Sequence, residues 1–241
     1  MTHVEGLAVA GLVGRTALVT GAGGVIGQSI ARSLRAQGAT VACSDLAAPT
    51  VDDLLGVAMD VTAADSVDEG FRRVEAELGQ VEVLVCAAGV FHVESLTTMS
   101  QQDWHRVVDV NLTGVFLTLQ RALPAMAMAR FGRIVEIGSS AGKNGGALHV
   151  GAYAAAKAGA MALVKSVAKE YAGLGITVNA LAPAMIDTPM IDGMRDLVDR
   201  IPVGRLGLPA DVSAVVTFLC SEHASFITGE VVDVNGGFLV D

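Results

Sequence analysis

The sequence predicts a doubly wound parallel α/β sheet, of about seven strands with helices on both faces. Three observations predict it. Short uninterrupted runs of Val, Ile, Leu and Ala recur along the chain, helix-period segments separate most of them, and a glycine-rich turn joins the first run to the first helix. Continuous apolar strands separated by helices belong in a parallel sheet buried on both sides.

The elements follow in order. Residues 16–20 form the first strand and run through Thr20-Gly21-Ala22-Gly23-Gly24-Val25-Ile26-Gly27 into a helix over 25–37. A second strand covers 40–44. The gap 46–56 holds Pro49 and barely meets the roughly 10–12 residues of a parallel crossover, so it admits a turn of helix at most. Residues 56–59 read as the third strand, 63–78 as a helix and 81–86 as the fourth strand. A long helix is expected over 100–129, a strand over 133–138 and a helix over 152–172. Strands at 176–181 and 230–234 flank a last helix at 210–221. No linker, repeat or compositional break divides residues 1–241, so they read as one domain whose strand order reverses near the middle.

Composition bounds the function. The chain has 241 residues and a net charge of -9, from 16 basic and 25 acidic side chains. Roughly 70% of the unfolded surface is buried at this size, enough for a core without disulfide or metal. Nucleic acid and anionic membranes need a basic face, so neither is an expected partner. No stretch of about 18 uncharged apolar residues occurs, and residues 1–14 lack a basic stretch before their apolar ones, so neither a transmembrane helix nor a signal peptide is expected. Cys43, Cys86 and Cys220 each sit in an apolar run and read as buried free thiols, which fits a reducing cytoplasm. No His, Cys or carboxylate cluster has metal-ligand spacing, so no metal is expected.

The glycine turn carries the first chemical signal. Such a loop between strand and helix lets backbone N–H groups approach a pyrophosphate at the positive end of the helix. The plainer alternative is a tight turn with no ligand. Asp45, at the end of the second strand, favours the dinucleotide, because a carboxylate there can accept hydrogen bonds from the adenosine ribose hydroxyls. Leu46, Ala47 and Ala48 supply no counter-charge for a 2′-phosphate, and the loop carries no Arg or Lys. One like-charge contact at ~4 Å and an effective dielectric of 20 costs about 4 kcal/mol, so the expected cofactor is NAD(H) over NADP(H).

Tyr153-Ala154-Ala155-Ala156-Lys157 puts a phenol and an ammonium on one helix face, one turn apart. A surface pair is the ordinary meaning of that spacing. Here Ser139 and Ser140 end the preceding strand, and ligands bind at strand carboxyl ends in open α/β sheets. Carbonyl reduction needs a proton donor while hydride arrives, and alcohol oxidation needs the reverse. A nearby ammonium brings a phenol toward working pH, and a Ser hydroxyl can hold the substrate oxygen.

With these motifs in place the sequence resembles the short-chain dehydrogenase/reductase family, in its short single-domain branch, over essentially its whole length. The markers are the glycine loop, Asp60-Val61, Cys86-Ala87-Ala88-Gly89, Asn111, Ser139, Tyr153 with Lys157, Pro183 through Thr188, and Thr228-Gly229-Glu230 with Asn235-Gly236-Gly237. The resemblance implies a Rossmann-type dinucleotide-binding domain. It implies Tyr153 as catalytic acid/base and Ser139 as the group orienting the substrate oxygen. Lys157 would lower the Tyr pKa and hold the ribose, and Asn111 would hold a water linking Lys157 to solvent. Gly21, Gly24, Val25, Ile26 and Gly27 would meet the pyrophosphate, and Asp45 with Leu46 the adenosine ribose. Asp60 and Val61 would bind adenine, Ala87, Ala88 and Gly89 would line the cofactor, and Pro183, Ile186 and Thr188 would surround the carboxamide.

The sequence departs from the family pattern in three places. Val25 stands at the usual second Gly of the loop, and a β-branched residue tolerates positive φ badly, so Gly24 is expected to take the tight point. Cys86 and Ala87 replace two Asn residues and lose side-chain bonds that support the sheet. Ala184 follows Pro183 where Gly is usual. Counting from the strand through Ile137-Gly138 favours Ser139 as the catalytic serine, with Ser140 the fallback.

Within the family the chain is most similar to 3-oxoacyl-(acyl-carrier-protein) reductases, especially from Ile201 onward. Those enzymes usually take NADPH, against Asp45, and dock their carrier through surface arginines. Arg130 fits one such position, but Leu174 occupies the other. The primary expectation is therefore interconversion of a small-molecule secondary alcohol and a ketone. The alternatives are the same chemistry on a carrier-bound 3-oxoacyl thioester, or a non-catalytic dinucleotide sensor. Met185, Met190 and Met194 offer an apolar pocket lining, and His92 and His149 are either pocket contacts or locally bonded loop residues. Trp104 reads as packing. The helices over 100–129 and 152–172 are apolar on more than one face, and Phe238-Leu239-Val240 would be costly to expose, so subunit packing is expected, as a homotetramer by resemblance.

Overall fold

The computed structural model describes residues 11–240, apart from the side chains of residues 192–197. Among them, seven strands form one parallel sheet in the order β3-β2-β1-β4-β5-β6-β7. These are β1 (Thr16–Thr20), β2 (Thr40–Asp45), β3 (Leu55–Ala58), β4 (Val83–Cys86), β5 (Gly132–Ile137), β6 (Ile176–Pro183) and β7 (Val231–Val234). Strand order reverses between β1 and β4, which opens a crevice at their carboxyl ends. The segment from β2 to β3 contains turns and no helix, as its length and Pro49 require.

Helices cover both faces because side chains on successive strand residues point to opposite sides. On one face α1 (Val25–Ala36) and α7 (Pro209–Leu219) bury Ile30, Leu34, Val212 and Val216 against Val19, Val41 and Val85. On the other, α2 (Ala64–Leu78), α4 (Gly114–Ala129) and α6 (Gly151–Tyr171) bury Phe71, Leu119, Met126 and Val164 against Leu18, Leu84, Ile134 and Val178. A short α5 (Ala141–Asn144) follows β5.

The helix expected over 100–129 is one continuous run with a change of winding inside it. Ser100 caps α3 (Gln101–Val108) by accepting from the Asp103 amide at 3.0 Å. A π-turn over Asp109–Thr113 then leads into α4. The π-turn inserts one residue, and Asn111 on it bonds the Val107 and Val90 carbonyls at 2.9 Å each. By length and composition Gln101–Ala129 could cross a bilayer. Its inner face nevertheless lies in the core, and Arg121 on it pairs with Asp68 and Glu75 of α2. The N-terminal residues 1–10, and with them most of the leader-peptide question, lie outside the described residues.

Candidate active site

Gly21 makes the turn out of β1. Its φ is +67°, and a Cβ there would meet the Ala87 carbonyl oxygen at 2.6 Å, so only glycine fits. This corrects the expectation for Gly24, which has φ -82° and simply caps α1. Val25 is the first helical residue, where a β-branched side chain meets no conflict. A Cβ on Gly27 would meet the Gly21 carbonyl oxygen at 2.4 Å, so the helix start can pack this closely on the turn only without a side chain. Asp45, at the end of β2, accepts from the Gly23 amide at 3.0 Å and from the Leu46 amide at 2.8 Å.

A cleft of about 460 Å³ opens along this turn. Gly21, Gly24, Val25, Ile26 and Gly27 line it, together with Asp45 and Leu46. Asp60 and Val61 after β3, and Ala87, Ala88 and Gly89 after β4, form further wall, and Thr188 reaches it from the loop after β6. No Arg or Lys borders it among the described residues. The Thr20 hydroxyl accepts from the Ala87 and Ala88 amides at 3.1 and 3.2 Å, a tie between the ends of β1 and β4 beside Cys86. A cleft lined by the glycine turn with a carboxylate beside it fits a dinucleotide, and a Cβ at Gly23 would sit 2.7 Å from the Asp45 carboxylate.

A second space of about 100 Å³ continues from the cleft and shares Ile26, Ala87, Gly89 and Thr188 with it. Pro183 and Ile186 border this space and not the cleft. Ser139, Tyr153 and Lys157 converge on it from the end of β5 and from α6. Tyr153 is buried, with the Phe91 ring edge-on at 5.0 Å. The Ser139 hydroxyl accepts from the Ala141 amide at 3.2 Å. Ser140 lies at the N-terminus of α5, and its amide bonds the Pro183 carbonyl at 2.9 Å.

The Lys157 side chain is buried. It donates to the Ile137 carbonyl and lies 3.3 Å from the carboxylate of Glu136, itself buried. Asn111 Oδ1 is buried without a hydrogen-bond partner, and a Cβ on Gly89 would meet it at 2.9 Å and the Lys157 Nζ at 3.7 Å. Asn111 and Lys157 therefore face one gap. Sequence reasoning missed Glu136. A carboxylate inside the run Arg133-Ile134-Val135-Glu136-Ile137, on a strand covered by helices, was the available signal.

Beyond Ser139 and Tyr153 lies an apolar cavity of about 220 Å³, bordered by Phe91, Val150, Met185, Met190 and Phe238, with Arg200 at its edge. The Met194 side chain lies outside the described residues. His92 and His149 border none of these spaces. His92 bonds Glu94 at 2.9 Å and Arg106 at 3.2 Å, and His149 lies in a loop at φ +66°. His92, Glu94 and Asp103 could in principle hold a cation, but the Arg106 guanidinium already bonds both His92 and Asp103. Trp104 packs less than expected and is 37% exposed.

Comparison with known proteins agrees with this geometry. A family model described as enoyl-(acyl carrier protein) reductase matches residues 21–239. The 3-oxoacyl-(acyl-carrier-protein) reductase MabA of Mycobacterium tuberculosis is 40% identical over 230 residues, covering 93% of each chain. The FabG reductases of Salmonella typhimurium and Escherichia coli are 40% and 39% identical, over 93% of this chain and 97% of their own. The chain belongs to the short-chain dehydrogenase/reductase family. It is accordingly a nicotinamide-dependent oxidoreductase that interconverts hydroxyl and keto groups on a Rossmann-type sheet. Within this short-chain dehydrogenase/reductase the small junction shares wall residues with the cleft on one side and, through Ser139 and Tyr153, with the apolar cavity on the other.

Proposed function

We propose that this enzyme interconverts a secondary alcohol and a ketone with NAD(H), and that Tyr153 is its acid/base. The observation that carries the reading is the junction where Ser139, Tyr153 and Lys157 meet between the dinucleotide cleft and the apolar cavity. A bound nicotinamide dinucleotide supplies or accepts the hydride. In reduction, Tyr153 gives its phenolic proton to the carbonyl oxygen while Ser139 holds that oxygen with a hydrogen bond; in oxidation the phenolate takes the proton back. Lys157 favours the phenolate by charge, and the unpaired Asn111 Oδ1 holds a water on the Lys157 side. Gly21, Gly24, Val25, Ile26 and Gly27 receive the pyrophosphate, Asp45 and Leu46 the ribose, and Asp60 and Val61 the adenine. Ala87, Ala88 and Gly89 line the middle of the cofactor, and Pro183, Ile186 and Thr188 the carboxamide.

Asp45 supports NAD(H) over NADP(H). Its carboxylate stands in a cleft bordered by no Arg or Lys among the described residues, so a 2′-phosphate meets uncompensated repulsion of about 4 kcal/mol. The test is kcat/KM with each cofactor. NADH is expected to win by at least about tenfold, and Asp45→Ser to narrow the gap. Equal or better turnover with NADPH in the wild type would overturn the choice.

A second reading is reduction of a carrier-bound 3-oxoacyl thioester, which the names of the relatives favour. The apolar cavity accommodates an acyl chain, and Arg130 is exposed with its guanidinium on the Gly173 carbonyl. Rates on acetoacetyl thioesters and on simple ketones discriminate the two readings. A cytoplasmic location accords with the three thiols, which are buried and free. Burial pushes Cys43 up to about 11 and Cys86 and Cys220 up to about 12, which leaves them unreactive. Self-association as a homotetramer completes the proposal, with exposed Phe116 and Met128 on α4 as apolar surface for a partner copy.

A further inference from the structure

Strand β5 carries a charge where its neighbours are apolar. Glu136 is 0% exposed, on the face covered by α4 and α6, and opposite Cys86 of β4. Its Oε1 lies 3.3 Å from Lys157 Nζ, and its Oε2 has no hydrogen-bond partner. A buried ion pair with one oxygen unsatisfied adds little to folding, since an apolar residue of similar volume would pack there without losing hydration. Packing therefore does not account for a carboxylate at this position.

We propose that Glu136 is a positioning residue of the active site: it fixes the Lys157 ammonium beneath Tyr153, offsets part of its charge, and so sets the pH range over which Tyr153 exchanges its proton. The inference rests on the reading of Tyr153 as acid/base with Lys157 as its charged neighbour.

The geometry supplies both functions. The ammonium is tied to two consecutive residues of one rigid strand, the Glu136 carboxylate and the Ile137 carbonyl. A residue on α6 is thereby registered against the sheet. The titratable groups gathered here are Lys157 and Tyr153 from α6, Cys86 from β4 and Glu136 itself. Cys86 stays neutral, its thiol pushed up to about 12 by burial. Asn111, from the π-turn, contributes an uncharged amide. Burial pushes the Glu136 carboxyl up against the pull of Lys157. Burial also opposes the charged form of Lys157, but the charges of Glu136 and Tyr153 outweigh it and hold the ammonium above its ordinary range. A negative charge on this side of Lys157 disfavours the phenolate. Its removal leaves more of the ammonium's field for the Tyr153 oxygen.

The experiment is a pair of pH profiles of kcat/KM, for reduction of ethyl acetoacetate and oxidation of ethyl 3-hydroxybutyrate. Wild type is compared with Glu136→Gln, Glu136→Met and Glu136→Asp. Oxidation needs the phenolate and reduction the phenol, so both limbs report one proton. The neutral variants are expected to move both limbs down together by about one pH unit, a tenfold change at fixed pH on either limb. Glu136→Asp keeps the charge and is expected to stay within a fraction of a unit of wild type. Rates lowered at every pH with unmoved limbs, or limbs that move upward, overturn the proposal. So does failure of both neutral variants to fold while Glu136→Asp folds, since the carboxylate is then structural. Tyr153→Phe runs in parallel: if it keeps wild-type rates, the acid/base reading itself fails, whereas unmoved Glu136 profiles beside an inactive Tyr153→Phe sink this inference alone.

Discussion

Tyr153 is nearly enclosed, with Phe91 on its ring edge and Lys157 one turn away on α6. A phenol removed from solvent and set beside an ammonium is suited to proton exchange with a substrate oxygen, a contribution of about 10²–10⁴ in rate. Tyr153→Phe is therefore expected to lower kcat by that factor while NADH binding, followed by fluorescence titration, stays within a few-fold. A variant that keeps its turnover would remove Tyr153 from the chemistry. Ser139→Ala should behave similarly and Ser140→Ala far less, because Ser139 borders both the junction and the apolar cavity, whereas Ser140 borders only the cavity. At this scale Tyr153, Lys157 and Asp45 were legible because each stands at a strand end or at a one-turn spacing. Glu136 was not, because its meaning depends on Lys157, which is 21 positions away in the chain.

Helices α2 and α4 meet through a charged clamp that also responds to pH. Arg121 bonds Asp68 at 2.9 Å and Glu75 at 2.6 Å, and Arg72 bonds Asp68 as well. The hydrogen bond from Arg121, then that from Arg72, holds the Asp68 carboxyl below its ordinary range. A carboxyl depressed on folding stabilises the fold above its unfolded pKa, and that stabilisation is lost as pH falls through the folded value. Arg121→Met is expected to lower Tm at pH 7 by about 2–4 °C and to flatten the loss of Tm between about pH 5 and 3. Thermal unfolding across that range checks it, and curves parallel to wild type would refute it. The elements themselves were legible from apolar runs and helical spacing, to within one or two residues at most ends. The π-turn at Asp109–Thr113 was not, because inserting one residue leaves the apolar pattern on either side intact.

Over the whole molecule, one parallel sheet gathers the cleft, the junction and the apolar cavity at its carboxyl edge. The outer side of α4 keeps Phe116 at 44% and Met128 at 86% exposure, and a Cβ on Gly159 of α6 would meet Leu112 at 3.0 Å. The π-turn before α4 thus packs closely on α6, while α4 presents apolar surface outward, which water disfavours unless another copy covers it. Sedimentation velocity at micromolar concentration is expected to give a tetramer, and a monomer would contradict it. By itself the sequence determined the alternation of strands and helices, the glycine turn, the carboxylate at the end of β2 and the Tyr–Lys spacing. Each is written in residues close together in the chain, where periodicity and turn chemistry act. Only the tertiary structure decided that Gly21 takes the left-handed turn and that Asn111 Oδ1 and Lys157 face one gap. It alone showed that Glu136 is buried against Lys157. Those facts depend on burial and on distances between strands and helices far apart in sequence, which no local pattern encodes.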